Sequence, residues 1–365
     1  MNINNCLNNF WVMQKKRVLV WLSWWVDSAV SAALLLEQWY EVVWWFMKNY
    51  VSDKWNCTTF KDAEEAIKVA KFLWIELLSF DLQKEHQERI IDYIFEWYSK
   101  WITPNPDVLC NNLIKFDVFL NRAIEQWFDY IVTGHYARIK EENWVYHLLQ
   151  WVDSRKDQSY FLSWLNQYQL SKSIFPLWEM TKQQVREKAK EIWLPNAERR
   201  DSQWLCFIWN VPIRTFLMQK FPKKEWDILD LNWKKVWTHQ WAYFYTIGQK
   251  QWLWLNFKAY VYRIDIENNI LYVTDKDSEE LKTKTLIAKN WHWICPIMES
   301  EILNLKKNLS GKIRYRQIPA VECNLEKMDN WDMKVSFINE QWAVAPGQAF
   351  VAYDWVECIW NWIIC

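Results

Sequence analysis

Between Arg17 and Gln38 an apolar run, a short polar loop and an Ala/Leu-rich stretch follow one another without a break: RVLVWL, SWWVDS, AVSAALLLEQ. Such a run has one economical reading. A buried strand over Arg17–Leu22 turns sharply and feeds a helix over Asp27–Gln38. The pattern then repeats. Strands are predicted at Glu41–Met47, Ile75–Phe80 and Tyr130–Val132. Helices are predicted at Asp62–Phe72, Lys84–Tyr98, Lys115–Gln126 and Lys182–Glu191. A chain that alternates in this way builds an α/β layer, a parallel sheet covered by helices on both faces. After about Asn210 the texture changes to short alternating segments at Val261–Ile264, Leu271–Val273, Lys312–Tyr315, Lys334–Ile338 and Ala349–Tyr353. These imply a small central domain and a C-terminal β-barrel. The expected division is 15–210, 211–282 and 283–365.

The tight turn at Ser23–Ser28 raises a difficulty, because it is written with two tryptophans where a turn calls for small residues. Composition generalises the point: 365 residues hold 32 Trp and only 4 Gly. Ordinary usage of about 7% would give roughly 26 glycines. The tryptophans follow no fixed period, which argues against an aromatic repeat. They fall instead after helices and inside turns. Trp39 follows an apolar helix, where a left-handed residue is wanted. Asn232-Trp233 and Asp354-Trp355 stand where Asn-Gly and Asp-Gly turns belong. The expectation is that most of these positions carry glycine in the working polypeptide, through a UGA codon read as glycine in the source and as tryptophan in translation. A few tryptophans are expected to be genuine, with Trp293 as the candidate.

Other bulk properties are unexceptional. Lys+Arg and Asp+Glu both number 44, so net charge neither favours nor disfavours a nucleic-acid partner. The N-terminal residues lack an apolar signal core, and no uncharged run is long enough to span a bilayer. Eight cysteines without paired spacing suit a reducing compartment, so a cytoplasmic protein with no membrane association is expected. Five scattered histidines argue against a metal site built from protein ligands alone.

Three segments carry chemistry. With glycine at positions 24 and 25, Ser23–Ser28 becomes SGGVDS, placed directly after a strand and opening a helix. Backbone N–H groups there can close on phosphate oxygens, Ser23 and Ser28 can donate hydroxyls, and Asp27 can hold Mg²⁺ or cap the helix. The missing Lys-Ser/Thr ending excludes a Walker A loop. The second segment is ITPNPDVLCNNLIKF, residues 102–116. Its prolines hold the chain extended, Asn105 and Asp107 offer groups suited to a base edge, and Cys110 precedes a helix whose dipole could acidify it. The third is DSQWLCFI, residues 201–208, in which Cys206 follows the basic pair Arg199-Arg200. Read as residues alone, a buried structural role is the readier account of Cys110 and remains open for Cys206. Basic strands such as Lys312/Arg314/Arg316 would set three cations on one face, suited to phosphate contacts.

SGGVDS resembles the PP-loop of the ATP pyrophosphatase superfamily. Together with FMKNY, TPNPDVLCNNLIKF, VTGHYARI, RKDQSYFL, DSQWLCFI, HQWAYFYTIGQK, KIRYRQ and AVAPGQAF, it resembles one family, the bacterial tRNA-specific 2-thiouridylases, from about Arg17 to Ile364. That resemblance implies ATP with Mg²⁺ as cofactors, and a tRNA anticodon arm as partner. It also implies a persulfide donor, either a cysteine desulfurase or a sulfur-relay protein. It places ATP on Trp21, Leu22, Ser23, Trp24, Trp25, Val26, Asp27 and Ser28, with Met47 and Gly134. The target base would meet Asn105, Pro106 and Asp107. Cys110 would be the nucleophile, Cys206 the persulfide carrier, and the two would pass through a Cys110–Cys206 disulfide. Lys156, Asp157, Gln158, Arg314 and Tyr315 would touch tRNA. Two other readings stand beside this one. A PP-loop enzyme adenylating a small metabolite would need neither cysteine. A tRNA-binding relic would follow if real indoles block the loop.

Overall fold

The computed structural model describes residues 15–22, 25–48, 59–100, 102–199, 213–221, 223–251, 253, 255–265, 267–294, 309–330 and 332–365. The first part alternates as the periodicity demands: β1 (Arg17–Leu22), α1 (Val26–Glu37), β2 (Glu41–Lys48), α2 (Thr59–Leu73) and β3 (Glu76–Asp81). The helical stretch that follows comprises α3 (Gln83–His86) and α4 (Asp92–Ser99), with a π-helical turn over Gln87–Ile91 between them. α5 (Pro106–Cys110) runs through π-helical Asn111–Val118 into α6 (Phe119–Glu125), followed by β4 (Tyr130–Val132). Further on come a hairpin of β5 (Arg138–Glu142) and β6 (Val145–Leu149), then α7 (Ser159–Leu162), α8 (Gln167–Ser171), β7 (Ser173–Ile174) and α9 (Lys182–Glu191). The two helices α8 and α9 start on capping boxes, Asn166 with Gln169 and Thr181 with Gln184. Each satisfies backbone donors that a helix start leaves open.

Five strands form a parallel sheet in the order β3-β2-β1-β4-β7. β1 shows why both faces are covered. Leu19 and Trp21 enter the core that holds Cys110, Phe116 and Phe119, while Val18 and Val20 enter the core that holds α1, Val185 and Ala189. Successive side chains of a strand point to opposite faces, so an all-apolar strand requires two cores.

The rest is β-rich, as the change in texture implies. α10 (Ile213–Leu217) precedes a four-stranded sheet made of β8 (Trp226–Leu229), β9 (Lys235–His239), β10 (Tyr260–Asp265) and β11 (Ile270–Thr274). Six strands then close a barrel: β12 (Lys282–Trp293), β13 (Leu309–Lys312), β14 (Val321–Lys327), β15 (Met333–Trp342), β16 (Ala349–Asp354) and β17 (Glu357–Ile364). Closure comes from β12 pairing with both β15 and β17. β17 has a third partner. Its Glu357 and Cys358 pair with Leu149 and Leu148 of β6, so the hairpin of the first part extends the barrel's sheet. No helix of the described residues is long and apolar enough to cross a membrane.

One expectation is corrected here. The strand foreseen over Lys312–Tyr315 ends at Lys312, and Arg314 and Tyr315 lie in the turn beyond it. The three cations therefore do not share a strand face. Lys312 points inward and is buried against Asp157, and of the three only Arg316 is exposed.

The backbone also speaks to the tryptophans. Among the described residues, Trp39, Trp74, Trp127, Trp144, Trp193, Trp233, Trp241 and Trp355 all have positive φ, between 53° and 142°. For a bulky side chain this region is a genuine outlier, and only glycine enters it at no steric cost. Trp39, Trp233 and Trp355 are the positions where turn chemistry asks for such a residue. In the barrel, the rings of Trp293 and Trp360 have centroids 3.4 Å apart, closer than aromatic pairs normally sit. Among the described residues, the buried indole N–H groups of Trp44, Trp45, Trp360 and Trp362 find no acceptor.

Candidate active site

Two clusters lie at the carboxyl end of the parallel sheet, where open α/β sheets place ligands. The first surrounds the start of α1. Ser23 and Trp24 lie outside the described residues, and β-strand residues Leu22 and Met47 are described by backbone alone. The rest of the loop is in place. Trp25 has extended backbone at the helix N-cap, and the buried Ser28 hydroxyl donates to Trp25 O at 3.1 Å. Asp27 Oδ1 accepts from the Tyr136 hydroxyl and from Lys182 Nζ, the latter at 2.6 Å. Gly134 presses on this turn. A Cβ there would lie 3.0 Å from both Asp27 C and Ser28 N, so the close approach favours glycine.

The second cluster surrounds α5. Asn105 caps that helix, its Oδ1 accepting from Val108 N at 3.4 Å, and Pro106 occupies its first turn. Asn105, Pro106 and Asp107 line a cleft of about 310 Å³ with Tyr160, Phe161, Tyr315 and Gln348. Phe161 and Tyr315 lie ring to ring at 4.4 Å, offering an aromatic wall. The segment before α5 is held from two other parts of the chain. Gln348 Nε2 donates to the carbonyls of Thr103 and Pro104 at 3.0 and 3.2 Å. Gly347, at φ 87°, lies so close that a Cβ would meet Ile102 Cγ2 at 2.2 Å. Thr103 Oγ1 and Thr246 Oγ1 share a hydrogen bond of 2.7 Å.

Cys110 differs from its sequence-based expectation. The helix begins at Pro106 and continues past Cys110 as π-helix, so the thiol sits in the interior of a helical stretch. A helix dipole acts chiefly within the first turn, and Cys110 lies beyond it. The side chain is only 1% exposed, packed in the core below the cleft. Cys206, and with it the whole 201–208 segment, lies outside the described residues.

Of the residues expected to touch tRNA, Lys156 is exposed and Tyr315 lines the cleft. Asp157 is 2% exposed. Its carboxylate accepts from Trp151 N, Ser159 N, Ser159 Oγ and Lys312 Nζ at 2.9–3.2 Å. Gln158 Oε1 accepts from Tyr136 N at 2.9 Å. Asp157 therefore joins the first part of the chain to the barrel, and Gln158 braces Tyr136 within the first part. Arg314 is half-buried, donating to the carbonyls of Trp342 and Ala343. Beside the first cluster, His135 is buried with Thr133 Oγ1 at 2.7 Å from Nδ1. Burial and the nearby Lys115 charge hold it well below its ordinary pKa, so it is neutral.

Lys182, Tyr136, Gln348 and Thr246 were not legible as site residues. The strings VTGHYARI and AVAPGQAF contain Tyr136 and Gln348, but nothing in their local chemistry distinguishes them. Lys182 reads as an ordinary first-turn lysine of a capped helix.

Comparison with known proteins agrees with this layout. A family described as tRNA methyl transferase HUP domain matches residues 16–210, a PRC-barrel domain of the same name matches 214–275, and an aminomethyltransferase β-barrel domain matches 283–360. Similar full-length proteins include tRNA-specific 2-thiouridylases MnmA of Methylobacillus flagellatus and Ralstonia pickettii. Both are 39% identical to the chain over 96% of its length, covering 99% and 96% of their own. That of Nitrosomonas eutropha is 38% identical over 96% of this chain and 99% of its own. Identity at this level along nearly the whole of both partners, on the same sheet, central domain and barrel, means that the chain belongs to the tRNA-specific 2-thiouridylase family.

Proposed function

We propose that the chain is an ATP-dependent tRNA-uridine 2-sulfurtransferase that thiolates the wobble uridine. The observation that carries this reading is the cleft over Asn105–Asp107, with Cys110 on the same helix and an aromatic wall of Phe161 and Tyr315. A base lifted from the anticodon stack fits such a cleft, because aromatic faces take up any base and the polar edge falls to Asn105 and Asp107.

ATP occupies the Trp21–Ser28 loop, with Met47 and Gly134 beside the nucleotide. Asp27 is the carboxylate that would hold Mg²⁺, an ion that usually takes one or two carboxylates and keeps several waters. The uridine O2 attacks the α-phosphorus and pyrophosphate leaves, giving an adenylated base. A persulfide donor, a desulfurase or a relay protein, loads Cys206. The Cys110 thiolate attacks the Cys206 sulfur and releases hydrosulfide, leaving a Cys110–Cys206 disulfide. Hydrosulfide then displaces AMP at C2, and a thiol reductant reopens the disulfide. Because Cys110 is buried, its attack requires local opening of the α5 region, which binding of the anticodon arm would supply. In the KDQ segment, tRNA contact falls to Lys156, with Tyr315 at the cleft.

This reading includes glycine at most tryptophan positions of the working polypeptide, and above all at 24 and 25, where indoles would fill the phosphate loop. The positive φ of eight tryptophans supports it. Intact mass of the protein from its source cell tests it: a mass equal to the sequence as written would end this part of the proposal. Activity is tested with the chain carrying glycine at 24 and 25, an anticodon-arm tRNA, ATP and sulfide or a persulfide donor. Nucleoside mass spectrometry should find 2-thiouridine. With the persulfide donor, Cys110→Ser and Cys206→Ser should each lower it at least a hundredfold; full activity in both variants would remove the sulfur-transfer reading.

A further inference from the structure

The phosphate loop brings one charged side chain of its own, and that charge has the wrong sign for phosphate. Asp27 is negative, and the loop lacks the lysine that ends a Walker A motif. The fold makes up the deficit from α9, 155 residues further along. Thr181 caps α9 with Gln184, which fixes Lys182 as its first helical residue. From there Nζ reaches Asp27 Oδ1 at 2.6 Å and lies 5.2 Å from the centre of the Tyr136 ring. Tyr136 is itself anchored, stacked on Trp151 at 4.1 Å, with its hydroxyl donated to the same Asp27 oxygen. Lys188, further along the helix, pairs with Glu37 of α1 at 3.1 Å and ties the two helices together. The Lys182 side chain is only 14% exposed. A surface lysine is usually mobile and solvated, whereas this ammonium is steered to one point, the helix end of the loop.

The side from which it comes is informative. α9 packs with α1 on one face of the parallel sheet, through Val185 and Ala189. Cys110 and the helix beneath the cleft pack on the other face. The phosphorus attacked by the base must face the cleft, so the leaving phosphates extend toward α9.

We propose that Lys182 binds the β and γ phosphates of ATP and stabilises the departing pyrophosphate, with Asp27 and Tyr136 holding its ammonium in place. This rests on the ATP-dependent reading above and adds a residue to it. An ammonium aimed at a leaving group's charge within a partly closed site is worth more than in water.

The test compares affinities for a non-hydrolysable ATP analogue and for AMP, in the full chain with glycine at 24 and 25. AMP lacks the β and γ phosphates, so a general loss of fold weakens both ligands alike. Lys182→Met should weaken the ATP analogue at least tenfold and AMP less than threefold. Lys182→Arg, which keeps the charge, should recover most of the difference, and Lys182→Gln serves if the Met variant does not fold. An unchanged ratio of the two affinities would overturn the assignment. Failure of the parent chain to bind either nucleotide would instead overturn the ATP-dependent reading.

Discussion

A tryptophan at φ 65° is a strained residue, and this chain has several such residues on its surface. Trp39, Trp74, Trp127, Trp193 and Trp355 are all exposed and left-handed. The left-handed conformation costs an L-residue roughly 1–2 kcal/mol, against which glycine loses about 0.5–1 kcal/mol of extra chain entropy. Replacing all five by glycine should therefore stabilise the chain as written by roughly 3 kcal/mol, since separated sites add. Urea denaturation measures it, and a midpoint that stays put or falls would show that these turns accept an indole without strain. Legibility in the sequence was good at this scale where a residue's identity follows from backbone geometry, as at Trp39 and Trp233. It was poor where a role depends on a distant partner. The family resemblance implied an RNA contact at Asp157, and only the fold brings Lys312 to it.

Among the elements, β1 to β4 and helices α1, α2 and α9 followed from periodicity to within three residues, helped by the burial of β1 and β2 on both faces, whereas the helix foreseen from Lys115 begins at Pro106 and β7 was not foreseen. Nor was the β5–β6 hairpin, and its turn explains why. Asn143 and Trp144 both have positive φ, the geometry of an Asn-Gly hairpin turn, but the turn is written Asn-Trp and β5 is largely charged. That hairpin and the segment after it carry the junction with the barrel. His147 Nδ1 pairs with Glu357 at 2.6 Å, Gln167 Nε2 reaches Ile294 O at 2.9 Å, and the Tyr160 hydroxyl donates to Ala349 O at 2.8 Å. The buried Lys312–Asp157 pair is the most sensitive of these contacts. Removing one partner of a buried pair leaves an uncompensated charge and costs about 3–5 kcal/mol. Lys312→Met should fall near the lower end, because Asp157 keeps three other donors. A loss of less than about 1 kcal/mol on urea denaturation would mean that the junction does not depend on this pair.

Across the whole molecule, histidine sets the acid limit. Of the five histidines, four are held below their ordinary pKa chiefly by burial. His86 and His239 are brought down to about 4, and His135 lies well below 6.5. A folded pKa below the unfolded one means that the unfolded chain takes up protons first. The stabilising contribution is complete above pH 6.5 and is lost as pH falls from there through about 4. The thermal midpoint should therefore drop steeply between pH 6.5 and 4.5, and equal midpoints at pH 7.5 and 5 would contradict it. The three-part organisation was legible at this scale from texture alone. The way β17 sews the barrel to the first domain was not, since strand order cannot be read from a pattern of alternation.

That last strand has a bearing on how the protein is made. Synthesis runs from N- to C-terminus, so β6, β12 and β16 all leave the ribosome before β17, which pairs with each of them. Until it arrives, three strand edges wait uncovered, and unpaired edges invite association with other chains. A chain cut short before β17 would keep the whole parallel sheet and leave the barrel unclosed. Completion of the last strand thus decides whether those edges are covered, before any question of catalysis arises.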